Sequence, residues 1–89
     1  MDTKELVNEL RKKWRKVHIQ EDKPNEFYEK HFHPFETKII ILEGDMAIKL
    51  GDKELIFEEG DEIIIKANEE HEVKIGNSRC KYIIAEVKK

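Results

Sequence analysis

At 89 residues the chain makes one domain, with a core large enough to bury roughly two-thirds of the surface its unfolded form exposes. Charged residues are 42% of it, but their signs are interspersed and the net charge is −3, so no basic footprint exists and no nucleic-acid partner is expected. Cys80 is the only cysteine, which rules out an internal disulfide and a CxxC redox pair and fits a reducing, cytoplasmic setting.

Residues 2–16, "DTKELVNELRKKWRK", read as an amphipathic helix. Leu6, Leu10 and Trp14 recur every fourth residue and Val7 widens the stripe. Asp2 followed by Glu5 predicts an N-terminal cap, and the closing Arg-Lys cluster suits the negative end of the helix dipole. Its apolar face needs a cover, either the rest of the domain or a twin subunit. No apolar stretch is long enough for a helical membrane span, and the N-terminus lacks a signal-peptide core, so no membrane partner is expected. Abundant Lys, Glu and Ile with a single Gln resemble thermophile composition.

From residue 17 to 89 the period changes to two, or to short Ile-rich runs. Val17 and Ile19 flank His18, which should face solvent. "EDKPN" is a turn and "EFYEKHFH" a strand. "TKIIILEG", "DMAIKLG", "KELIFEEG", "DEIIIKA", "HEVKIG" and "RCKYIIAEV" follow, separated by Gly44, "GDK" at 51–53, Gly60, "NEE" and "GN". Short strands at near-regular spacing with Gly-centred turns predict an all-β sandwich or barrel behind one N-terminal helix.

Two of the four histidines stand one residue apart, in "HFH". On a strand His31 and His33 share a face, about 6.6 Å apart along the backbone. They are either a solvent-facing pair or two ligands of one ion. The second case needs a third donor, and His71 is available from a distant segment.

The segments around these histidines resemble the cupin superfamily, in particular its small single-domain members. Their first motif, G-x5-H-x-H-x3,4-E-x6-G, is matched by "PNEFYEKHFHPFETKIIILEG" from Pro24 to Gly44. Their second, G-x5-P-x-G-x2-H-x3-N, is matched by "GDEIIIKANEEH" from Gly60 to His71. The resemblance implies a double-stranded β-helix, or jelly-roll barrel. It also implies His31, His33 and His71 as ligands of a divalent transition metal such as Zn, Fe, Ni, Mn or Cu.

The chain departs from the pattern at the family's glutamate ligand, which falls on Thr37. Neighbouring Glu36 has the wrong strand parity unless a bulge near Pro34 re-aims it. Lys66, Asn68 and Ile75 replace the second motif's proline, glycine and asparagine; Asn68 tolerates positive φ.

Regular parity would place Phe27 and Glu29 on the face of the first two histidines, where Glu29 could orient an imidazole. Ile39, Ile41 and Val73 would make an apolar cavity wall suited to a small-molecule ligand. Cys80 and Tyr82 should share an inner or rim-facing side of the last strand. Three neutral imidazoles leave the ion's charge uncompensated, which favours a small anionic metabolite and permits oxygenase or isomerase chemistry. The alternatives are a non-catalytic metal or small-ligand binding or sensor module, and a structural dimer with a vestigial site. A homodimer is expected because pairing removes an exposed sheet edge.

Overall fold

The computed structural model describes residues 2–89, which form one helix and eight strands. The helix, α1 (Thr3–Arg11), starts where the sequence predicts, with Asp2 Oδ1 accepting from the Glu5 amide at 2.9 Å. It ends earlier than its apolar periodicity suggests. Trp14 opens the first strand, β1 (Trp14–Asp22), and pairs with Lys88. The Trp14 side chain still joins Val7 and Leu10, because the tight turn at Lys12 and Lys13 returns the backbone to the same side. The stripe is continuous in space although the helix under it is not.

Seven further strands follow: β2 (Phe27–His31), β3 (Thr37–Glu43), β4 (Asp45–Leu50), β5 (Lys53–Glu58), β6 (Glu62–Ile65), β7 (His71–Ile75) and β8 (Cys80–Lys88). They form two antiparallel four-stranded sheets, in the orders β1-β8-β3-β6 and β2-β7-β4-β5. Consecutive strands thus alternate between sheets except within the β4–β5 hairpin. That is the wrapping of a jelly roll, or double-stranded β-helix.

Gly44 makes the step from β3 to β4, and so from one sheet to the other. Its φ is +80°, and a Cβ built there would meet the Arg79 carbonyl oxygen at 2.5 Å. Only glycine satisfies both conditions. Asn25 and Asn68 also hold positive φ, of 62° and 63°. Both flank the segments that carry the histidines.

Two apolar clusters share the first sheet. Between the sheets lie Ile39, Ile41, Met46, Ile48, Ile65, Val73, Ile75, Cys80 and Tyr82. On the outer side Val7 and Leu10 of α1 pack with Trp14, Val17, Ile40, Ile83 and Ala85. The helix is therefore covered by its own barrel. The Ile-rich runs of β3 and β8 read as continuous apolar stretches because both of their faces are buried.

β1 is irregular. Its register shifts between Arg15 and His18, and Lys16 sits at a φ of 47°. Val17 is buried, His18 is exposed as expected, and Ile19 remains half exposed beyond the end of the helix.

Candidate metal centre

β2 and β7 pair so that His31 lies directly opposite His71. Their ring centroids are 4.3 Å apart, and His33 stands 5.1 Å from the first and 5.5 Å from the second. One donor atom from each of the three lies within 4.8 Å of the others. Among the described residues this is the one such group of His, Cys, Asp and Glu side chains that includes histidine. The three histidines expected from the sequence are brought together.

Their orientation has local causes. His31 Nδ1 is 2.6 Å from the Glu29 carbonyl oxygen, and His71 Nδ1 is 2.9 Å from the Glu69 carbonyl oxygen. A carbonyl only accepts, so each Nδ1 carries the proton and each Nε2 keeps a free lone pair. The exposed His18 makes the same bond to Lys16 at 3.3 Å, so strand geometry supplies it readily. His33 has a different support: Phe35 stacks on its ring at 5.3 Å and an interplanar angle of 19°. The loop after His33 is tied to the turn before His71, where the Asn68 amide donates to the His33 carbonyl at 2.7 Å.

His71 is the buried member, at 5% exposure. Burial holds its imidazole below the ordinary value, the neighbouring His31 and His33 push the same way, and the Glu69 carbonyl opposes them. The ring is thereby kept neutral near pH 7, the form that ligates a metal.

The fit to an ion is good in chemistry and loose in distance. Nitrogens bound to one cation at about 2.1 Å lie about 3.0–3.4 Å apart, so small ring rotations are needed to close the set. Thr37 supplies a further indication. It is 2% exposed, it lines the same cavity, and its Oγ1 has no hydrogen-bond partner. A buried hydroxyl that lines a cavity without a protein partner is a group that a ligand atom or a water can satisfy. Glu36 is not in the cluster. Its neighbour Thr37 is the residue that lines the cavity.

The histidines and Thr37 line a cavity of about 110 Å³ between the sheets. Ile39 and Val73 form part of its wall as expected, joined by Met46, Ile65 and Ile84. Ile41 does not reach it and packs in the core.

Two expectations fail for one reason. The register of β2 shifts between Tyr28 and His31, so the alternation that would put Phe27 and Glu29 beside the histidines is broken. Tyr28 takes the inward place, while Phe27 and Glu29 are exposed. Glu29 does orient His31, but through its main-chain carbonyl.

The cavity is also less apolar than its aliphatic strands suggest. Asp22, 8% exposed, accepts hydrogen bonds from the Tyr28 hydroxyl at 2.7 Å and the Tyr82 hydroxyl at 2.6 Å. Gln20 Nε2 donates to both Asp22 and Tyr28 at 3.3 Å. Gln20, Tyr28 and Tyr82 all line the cavity. Sixty positions separate Asp22 from Tyr82, so no local pattern joins them.

The sequence pattern of the family described as Cupin domain matches residues 18–85. No curated protein matches the chain. Among solved structures, a cupin-2 domain protein from Shewanella frigidimarina is similar at 20% identity and a TM-score of 0.69, over 78% of this chain and 66% of that one. A cupin superfamily protein from Desulfitobacterium hafniense is similar at 18% identity and a TM-score of 0.74, over 80% and 64%. The polyketide cyclase RemF from Streptomyces resistomycificus is 30% identical with a TM-score of 0.69, over 79% of this chain and 52% of RemF. The chain thus spans about half to two-thirds of the length of these relatives.

Proposed function

The chain belongs to the Cupin domain family, and on that premise we propose that it binds a divalent transition metal through His31, His33 and His71 and a small anionic ligand beside it. One observation carries this reading. Three imidazoles from two remote segments meet at a cavity, and carbonyl bonds on two of them leave the Nε2 lone pairs free. When bound, such an ion supplies Lewis acidity and positions for an anion. The protein's own contribution is to keep the His71 ring neutral, to aim the rings, and to wall the ligand with Ile39, Ile65 and Val73. Because Thr37 stands where the family has a glutamate, no carboxylate competes with the ligand for the ion's charge.

The test is elemental analysis and titration calorimetry on untagged protein never exposed to chelator. One equivalent of Zn, Fe, Ni, Mn or Cu, lost on replacing His71 by alanine, is expected. Failure to bind any of them would sink the reading.

A second reading, metal-dependent catalysis on the bound anion, draws support from RemF, which is named a polyketide cyclase. Oxygen uptake or isomerisation of small diketones by the metal-loaded protein separates an enzyme from a binding module. We also propose that two copies pair. β5 is an outer strand whose Leu55 and Ile56 are 42% and 59% exposed, an edge that association would cover. Sedimentation velocity showing only monomer at micromolar concentration would contradict it.

A further inference from the structure

The three histidines occupy only one end of the cavity. In sheet register Tyr28 pairs with Val73, two residues along β7 from His71. Tyr82 pairs with Ile41, four residues along β3 from Thr37. At about 3.3 Å per residue these phenols are rooted roughly 7 and 13 Å farther down the barrel than the metal-facing residues. The polar group around Asp22 is therefore a second pole.

Its hydrogen-bonding capacity follows from counting protons. A carboxylate only accepts, so both phenolic hydrogens are committed to Asp22. The Gln20 amide nitrogen must also face Asp22, which turns its carbonyl oxygen elsewhere. The second amide hydrogen goes to the Tyr28 oxygen, so what Tyr82, Tyr28 and the Gln20 carbonyl have left to offer is lone pairs. Among the described residues no Lys, Arg or His makes an ion pair with Asp22, so no cation of this chain competes with a ligand's donor at this pole.

We propose that this pole receives a hydrogen-bond donor, so that the ligand is dipolar: an anionic, metal-binding head at the histidines and an ammonium, amide or hydroxyl tail at Gln20, Tyr28 and Tyr82. A ligand anionic at both ends is rejected, because its tail meets acceptors only. The head rests on the metal reading above; the tail does not, since its partners are all side chains of this chain.

The experiment follows the Gln20 side-chain amide in ¹H–¹⁵N spectra of the Zn-loaded and metal-free protein. Each is titrated with ω-amino acids of three to six carbons and with alkanoates of equal chain length. For at least one length the amino acid should shift the Gln20 signal saturably and bind at least tenfold tighter than its alkanoate. That preference, read in the variants by titration calorimetry, should fall below threefold in Gln20→Leu, and separately in Tyr82→Phe, which keeps the ring. A preference kept in the metal-free protein, with Zn binding absent, overturns the metal reading and leaves the donor-receiving pole standing. Equal or tighter alkanoate binding at every length overturns the pole, as does a preference untouched by both variants or no saturable shift in either form.

Discussion

His31 and His71 face each other across paired strands, each with its Nδ1 proton held by the carbonyl of the residue two positions earlier. Both Nε2 atoms are thus presented without help from any side chain. Replacing either histidine by alanine should lower metal affinity about 100-fold or more, since even a supporting residue is worth 10–100-fold. Replacing Glu29 by glutamine should change it less than threefold, because the carboxylate is not the orienting group. Calorimetric titration of the three variants with one metal checks both statements.

Thr37 carries a buried hydroxyl with no partner. Substituting valine, nearly the same shape, should stabilise the metal-free protein by about 1 kcal/mol, because an unpaired polar group is removed from an apolar setting. Substituting glutamate should act the other way on the metal-free fold, while raising metal affinity at least tenfold by adding a carboxylate beside three neutral rings. Denaturant midpoints with and without metal report the two signs.

Gly44 combines positive φ with a backbone oxygen where a Cβ would go. Gly44→Ala should cost about 2–4 kcal/mol, beyond the cost of left-handed backbone alone. An equal loss from Gly51→Ala, where φ is also positive but the space is open, would show that strain and not the close approach dominates.

Alkaline pH should weaken the fold. Burial pushes the Cys80 thiol from 9.0 up to about 11, and burial together with Asp22 pushes the Tyr28 hydroxyl from 10.0 up to about 12. Tyr82 moves in the same direction for the same causes. Above pH 9 the unfolded chain therefore binds fewer protons than the folded one, and unfolding free energy falls as pH rises. The contribution is whole below pH 9 and disappears through the range 9–12. Urea unfolding at pH 8.0, 9.5 and 10.5 should show the decline, less steeply in Cys80→Ala. The native thiol should resist alkylation at pH 8.

Much of this was legible in the chain because its cues are local. A cap residue marked the start of α1, glycines marked the strand ends, and the resemblance of the flanking segments to the cupin motifs implied that His31, His33 and His71 meet. What escaped were departures from strict period and contacts across distance. The irregularity between Tyr28 and His31 exchanges inward for outward side chains, and nothing in "FYEKH" announces it. The end of α1 was hidden because Trp14 satisfies helical spacing while sitting on a strand. Asp22 stands in "EDKPN", which reads as an ordinary turn, and only the folded barrel brings Tyr82 to it.

β8 lies between β1 and β3, at the heart of its sheet. Its partners in β3 are 38 to 49 positions earlier and those in β1 58 to 74, so half of the barrel lacks its middle until the latest of the eight strands is in place. Folding must then close long loops before the reward of pairing arrives, and relaxation in milliseconds to seconds, not microseconds, is the expected tempo. A nascent chain lacking that strand would display the bare isoleucines of β3, and is the species most prone to clump during synthesis.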